Sequence, residues 1–493
     1  MKKYIFISIL SVGVLLGCED FLEIKPQDSL TSSAFYKTAD DAIAAINAAY
    51  DGFQHLNYYG FNYPDILNIA GGDAIKGGFG AGDRPAYLEF ETFDITPQNL
   101  RIREFYAMAW GGVNRANQVL DNVSKMEVDD TFTDALKDRI LGEATFLRAL
   151  HYTNLVTAFA GMPIYTSVPA IDDEVLPRAS TEDTWAFIIS SFQEAANLLP
   201  DSHDDANVGR ATKGAANAML ARIYSFRGEW AKVKAQADLL INSPANYDLA
   251  PTFAENFDER GNNNMESIFE IQYTLSSTSL SIWSNAGDWN SNFIAKYAAP
   301  QVGSAGWATM SPTQELVDDF EAGDLRLTET VYRPGDPYGD GIFDPYDGSH
   351  FDNAGLYGNK KLTGLDFTNV AGNGFDYNYK IIRFADILLL KAEAENELSG
   401  VSTAALDPLN RIRARAELLP VNDINNPGLS QAELRDIILH ERRCELALEG
   451  VRFYDVIYRG RGAEFFGSRG YQEGEDIFPI PPVEITRTGW TQN

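Results

Sequence analysis

Two stretches far apart in the chain share one pattern, and it narrows the available folds more than any other feature. AANAMLARIYSFRGEWAKVKAQADLLI begins at Ala215, and ADILLLKAEAENELSGVSTAALDPLNRIRARA begins at Ala385. Each reads as an Ala/Leu-rich helix, a short turn containing Gly, and a second amphipathic helix. Small residues where the paired helices touch let their backbones approach closely. One such pair cannot bury its apolar face alone, so neighbouring pairs must stack, which is the tetratricopeptide-like arrangement. The two copies are degenerate and far apart, and a non-repeating helical bundle is the alternative. The expected class is mainly α: a tetratricopeptide-like α/α superhelical scaffold with long irregular loop excursions and a few short strands.

Helical signals continue outside these copies. Thr38 and Asp41 have capping-box spacing, followed by Ala42, Ile46, Ala49, Tyr50 and Phe53 at helical intervals. Thr96-Pro97 offers an N-cap and a proline at the first helical position, ahead of a stripe of Phe105, Ala109, Val113, Ala116 and Leu120. A helix is predicted from near Thr133 to Ala160, stopped by Gly161-Met162-Pro163. Ser180 with Asp183 caps another, closed by Pro200, and Ser430 with Glu433 caps one ending near Gly450. The helical regions are thus about 38–57, 96–242 and 380–460.

Two irregular excursions, about 58–95 and 244–377, interrupt them and are rich in Gly, Asn, Asp, Pro and aromatics. Loops of this length inside a compact domain are uncommon and tend to carry function. SIFEIQY, from Ser267, has the composition of a short strand. No Ser/Pro-rich linker divides the chain, so a single domain is expected.

The chain opens MKKYIFISILSVGVLLGCED. Its apolar run from Tyr4 to Gly17 is about 14 residues, short of the roughly 20 needed to cross hydrocarbon. Lys2 and Lys3 before an apolar stretch that ends in small residues is the layout of a secretory signal. Leu15-Leu16-Gly17-Cys18 resembles a bacterial lipobox, making residues 1–17 the signal and Cys18 the site of lipid attachment. An ordinary signal with an incidental cysteine is the plainer alternative. With Cys18 lipidated, Cys444 is the one thiol left and no internal disulfide forms. Stability must then come from core size, which 493 residues at 45% hydrophobic content can supply.

A formal charge of −30 repels phosphate backbones and anionic headgroups, which counts against a nucleic-acid partner. GGDAIKGGFGAGD lacks the Gly-Lys-Ser/Thr end of a phosphate loop, and its glycines better suit positive φ in a tight surface loop. His440-Glu441-x-x-Cys444 superficially matches a zinc helix but has no third ligand nearby. The surrounding Glu441, Arg442, Arg443, Glu445, Arg452 and Asp455 read as a salt-bridged structural helix pair. DPYGDGIFDPYDGSHFD could offer calcium oxygens from Asp340, Asp344 and Asp347, though not at EF-hand spacing, so no metal or other cofactor is assigned. Five scattered histidines and the lack of a nucleophile elbow leave no catalytic set, and an enzyme is not expected.

Several stretches taken in order resemble one family. They are the lipobox start with FLEIKPQDSLTSSAFYKTADDAIAAINAAYDG, then GEATFLRALHYTNLVTAFAGMPI, RATKGAANAMLARIYSFRGEWAKVKAQADLLI and ESIFEIQY. IIRFADILLLKAEAENEL, NRIRARA, ERRCELALEGVRFYDVIYRG and the terminal IFPIPPVEI complete the series. Together these are similar to the SusD/RagB family of surface nutrient-binding lipoproteins from Bacteroidetes-type bacteria, across essentially the whole chain. The resemblance implies one SusD-like domain over 18–493, a tetratricopeptide-like scaffold, and ligand loops on one face. It implies a SusC-like TonB-dependent transporter as partner, over which the protein sits as a lid, and an outer-membrane, cell-surface location through the lipid. Glu19 and Asp20 resemble the export signal of such lipoproteins. An oligosaccharide is the implied ligand, with a peptide as the RagB-like alternative.

Glycan recognition needs flat apolar faces for the C–H side of a sugar ring and polar groups for its hydroxyls. The first excursion offers Tyr58, Tyr59, Asp73, Phe79 and Arg84, and the second offers Trp283, Asp288, Trp289, Asn290 and Trp307. The string SIWSNAGDWNSNF from Ser281 and the segment Gly71–Gly82 are expected to converge as the binding surface. The opposing expectation is that each aromatic staples its own loop to the helices.

Overall fold

The computed structural model describes residues 35–80, 82–170, 173–258, 261–274, 292–300, 306–338, 341–345, 355–363, 376–422 and 424–493. Helices hold 53% of the described residues, so helix packing sets the architecture. In order they are α1 (Ala39–Asp51), α2 (Asn62–Ala70), α3 (Pro85–Thr92), α4 (Leu100–Val123), α5 (Asp134–Phe159), α6 (Thr181–Leu198), α7 (Lys213–Phe226) and α8 (Trp230–Ile241). After the second excursion's short α9 (Ile294–Ala298), α10 (Gln314–Asp319) and α11 (Leu325–Thr330) come α12 (Phe384–Ser399), α13 (Thr403–Arg415), α14 (Gln431–Leu446), α15 (Arg452–Ile457), α16 (Gly462–Phe466) and α17 (Pro482–Thr488).

Side-chain caps start most of the long helices. Thr38 with Asp41 and Ser430 with Glu433 form full capping boxes, and Thr133, Ser180, Thr212 and Ser402 each accept an orphan amide N–H. One start differs from expectation: α4 begins at Leu100, not behind Thr96-Pro97. Asn99 is its cap, accepting from the amides of Arg101 and Ile102 at 2.9 and 3.3 Å, while its own Nδ2 donates to the Ala86 carbonyl at 2.8 Å. α14 stops at Leu446, short of Gly450.

α4 to α8 pack each on the next, and α8 then packs on α12, which carries α13 and α14. The two look-alike pairs, α7–α8 and α12–α13, are therefore direct neighbours in one stack despite the excursion between them. A strand pair makes this possible. β2 (Ser267–Ile271) runs antiparallel to β4 (Tyr379–Arg383), pairing Ser267 with Arg383 and Ile271 with Tyr379, and so closes the second excursion at its base. Close approach inside the stack needs small residues: a Cβ on Gly112 of α4 would lie 2.0 Å from Nε2 of His151 on α5.

The charge-dense segment proves structural. Arg383 reaches Glu266 at 2.7 Å, Glu445 at 2.5 Å and Glu449 at 2.8 Å, and every one of these side chains is buried. Arg442 bridges Asp386 and Asp455 at 2.7 and 2.8 Å, tying α14 to α12 and α15. Arg326 holds Glu441 at 2.6 Å, and Lys361 holds Glu449 at 2.7 Å. The Lys361 ammonium also lies over Phe253 and Phe257, and burial lowers its pKa to about 8. His440 sets Nε2 at 2.7 Å from the Asp319 carbonyl and 3.8 Å from Cys444 Sγ, and burial pushes the Cys444 thiol up. Arg452 departs from the pattern: its guanidinium lies over Phe465 at 4.4 Å, and burial lowers its pKa to about 10.

Candidate functional site

The first excursion is more ordered than its composition implies. It holds α2, β1 (Ala74–Gly77) and α3, and β1 pairs antiparallel with β3 (Thr309–Pro312) of the second excursion. Ala74 faces Pro312, Ile75 faces Ser311 and Gly77 faces Thr309. Gly77 is obligatory here: its φ is +58°, and a Cβ would lie 1.9 Å from the Ala308 carbonyl oxygen. The Gly-rich segment thus meets the second excursion, though at 306–312; Trp283, Asp288, Trp289 and Asn290 lie outside the described residues, as does Cys18.

At this junction an aromatic ladder runs from solvent to core. Phe79, 43% exposed, meets the half-buried Trp307 at 5.9 Å between ring centroids and an angle of 60°. Trp307 stands edge-on to Tyr297 at 4.7 Å and 89°. Tyr297 stacks on Phe61 at 4.0 Å, and Phe61 meets Tyr87 at 6.0 Å. Only the outer end of the ladder, Phe79 and Trp307, reaches solvent to any extent, and the buried rungs fix its orientation.

Cations caged from within hold the loop that carries Phe79. Lys76 Nζ donates to the carbonyls of Gly77, Gly80 and Asp83 at 3.3, 3.2 and 2.8 Å. The Phe79 amide donates to the Asp83 carboxylate at 3.0 Å. Arg84 ion-pairs with Asp65, donates to the Lys76 carbonyl at 2.6 Å, and lies 4.0 Å over the Tyr87 ring. Burial lowers its pKa to about 10, partly offset by Tyr87.

The expected contact residues therefore separate. Phe79 and Trp307 come together at the surface. Tyr58 and Tyr59 do not present ring faces there; they are buried between helices, with Tyr58 OH 3.1 Å from His151 Nδ1 and Tyr59 OH donating to Asn154 at 3.1 Å. Asp73 is buried and paired with Arg443 at 3.1 Å. Arg84 lies beneath the ladder as its support. Among the described residues, the hydroxyls of Tyr58 and Tyr59 and the carboxylate of Asp73 meet partners distant in sequence, and Arg84 meets Asp65 and Tyr87 nearer by. Asp344 lies in a short described stretch, Asp340 and Asp347 lie outside the described residues, and among the described residues no group of three metal-ligating side chains gathers. Tyr297 of the second excursion and Phe61 of the first are the rungs that fix Trp307. Their sequence signal was weak, an aromatic in each of two Gly- and Asn-rich stretches.

Comparison with known proteins gives matches to family models, curated relatives and solved structures. The model of the SusD family matches residues 265–476, and one described as "Starch-binding associating with outer membrane" matches 81–225. SusD-like protein P2 of Formosa agariphila is 29% identical over 516 residues, spanning 99% of this chain and 98% of its own. A SusD-like protein of Bacteroides ovatus is 25% identical, spanning 93% of this chain and 82% of its own. A laminarin-binding SusD-like protein of known structure superposes with a TM-score of 0.78 at 28% identity, covering 93% of this chain and 99% of that one. Surface glycan-binding protein A of Bacteroides thetaiotaomicron, in complex with laminarihexaose, shares the fold with a TM-score of 0.76 at 21% identity over 92% of this chain and 99% of that one.

Proposed function

Because the chain belongs to the SusD family, we propose that it captures an oligosaccharide outside the cell and passes it to a SusC-like TonB-dependent transporter. The observation that carries this is the Phe79–Trp307 pair, a partly exposed aromatic platform braced by buried rings. A pyranose stacks its C–H face on such a surface at low conformational cost, and polar side chains alongside bond its hydroxyls. Trp283, Asp288, Trp289 and Asn290 belong to the same excursion and are proposed as further contacts. The laminarin-binding relative makes a β-glucan of that type the first polymer to try.

Cys18 is the proposed tether. Several acyl chains on one residue exceed the two-signal threshold for stable anchoring, and Glu19 and Asp20 are the proposed address to the cell surface. Exposed sugar contacts are wet and individually weak, so a transporter closing beneath the platform raises effective concentration and excludes water. Capture and release need no covalent step and no cofactor.

Native gels containing laminarin, starch, xylan or mannan test the reading. Retardation by one polymer is expected, weakened about tenfold by Trp307→Ala, a loss near 1.4 kcal/mol. Calorimetric heat with oligopeptides and no retardation by any polymer would assign a peptide ligand and overturn it.

A further inference from the structure

A second aromatic recess lies on the helical scaffold and shares no residue with the Phe79–Trp307 platform. It has a volume of about 250 Å³ and opens between α4, the 163–169 loop and the C-terminal α17 with its trailing Trp490. We infer that it is a second saccharide subsite, taking one neutral sugar ring; this rests on the glycan-binding reading above.

The walls are built and fixed. Trp110 stands edge-on to Tyr152 at 5.7 Å and to Tyr165 at 5.8 Å, so its indole cannot swing away. Tyr165 is pinned by its backbone: its amide donates to Tyr152 OH at 2.7 Å, and its carbonyl accepts from Asn117 Nδ2 at 3.0 Å. Arg148 in turn donates to Asn117 Oδ1 at 3.1 Å, so Asn117 serves the wall and not the ligand. Trp490, half-buried, closes the opposite side.

The rim supplies hydroxyl partners. Asn114 is exposed on α4 and lines the recess, and among the described residues its carboxamide has no hydrogen-bond partner, leaving a donor pair and an acceptor for a ligand. Arg487 projects from α17 with its side chain 57% exposed and a single carboxylate neighbour, Glu484. Two indoles and two phenols around an unengaged amide suit a sugar ring better than a wholly apolar guest, which would leave the amide and guanidinium unused. The volume lies just under the range of about 300–1,000 Å³ typical of drug-sized ligands, enough for one ring and too small for a long segment. An acidic guest is disfavoured by a chain of formal charge −30.

The test uses the full chain carrying Trp307→Ala, which disables the first platform, and probes it with millimolar glucose, galactose, mannose and xylose by saturation-transfer NMR. Transfer to at least one sugar is expected, falling about tenfold when Trp490→Ala or Asn114→Ala is added. Both added changes lie at the surface, and an unchanged melting temperature shows that the fold is intact. Absence of transfer in the Trp307→Ala protein, transfer that survives both added changes, or transfer to an oligoproline peptide but to no sugar would each overturn the subsite. The change in polymer retardation between the wild type and Trp307→Ala reports on the first platform, so failure of that reading is distinguishable from failure of the subsite.

Discussion

The ionic core beneath α12 to α15 and the aromatic ladder between the excursions both bury polar side chains, but in opposite ways. In the core, charge pairs with charge across elements far apart in sequence, as when Arg383 gathers Glu266, Glu445 and Glu449. In the ladder loop, Lys76 is held by backbone carbonyls of its own neighbourhood, and rings carry the order outward to Phe79. The first arrangement fixes how helices stack; the second fixes one exposed surface and leaves the stack alone. Rigidity for architecture and rigidity for the proposed binding surface are thus supplied by different chemistry in one chain.

The sharpest way to break this contrast is Arg383→Leu. It takes one partner from three buried carboxylates at once, leaving Glu266 to Arg415, Glu445 to Arg326 and Arg415, and Glu449 to Lys361, and a loss of about 3–5 kcal/mol is expected in denaturant unfolding. A loss below that seen for Trp307→Ala would show that the ionic core does not govern stacking. Next, Tyr58→Phe leaves His151 Nδ1 and Asn154 Nδ2 each short of a partner and should cost about 1–3 kcal/mol without altering polymer retardation. Altered retardation would return Tyr58 to the binding surface.

His151 provides a pH-dependent version of the contrast. Burial lowers its pKa from 6.5 to about 3. Below pH 6.5 the unfolded chain takes up a proton there that the folded chain refuses, so this contribution to stability is whole above pH 6.5 and is lost as pH falls toward 3. His151→Asn should reduce the acid-side slope of stability by up to about 1.4 kcal/mol per pH unit, measured by unfolding between those limits. Equal slopes would mean that the ring is protonated in the fold. The smallest expected effect on stability is that of Phe79→Ala, within about 0.5 kcal/mol, with clearly weaker retardation. A large stability loss would make Phe79 a loop staple.

Helix starts were legible wherever a side chain caps within three residues of itself, as at Thr38–Asp41 and Ser430–Glu433, because the physics is local. α4 escaped because Asn99 competes with Thr96 over a distance of three residues, and its tie to the Ala86 carbonyl decides the matter. The stacked pairs were legible because burial imposes periodicity on both. Tyr58 and Tyr59 misled for the converse reason: a tyrosine beside Asn and Gly looks the same in sequence whether its hydroxyl meets a sugar or Asn154, which lies 96 and 95 residues away. Phe79 and Trp307 both reach the surface, and their contact depends on the β1–β3 register, which no periodicity encodes.

The β2–β4 clasp carries one last implication. Because it joins Ser267 to Arg383 and Ile271 to Tyr379, everything threaded between those strands hangs from a fixed pair of posts. Descendants of this chain could lengthen, trim or rewrite that insert without disturbing the registry of α8 against α12. On the proposed function, a change of ligand is an exchange of upholstery on an unchanged frame.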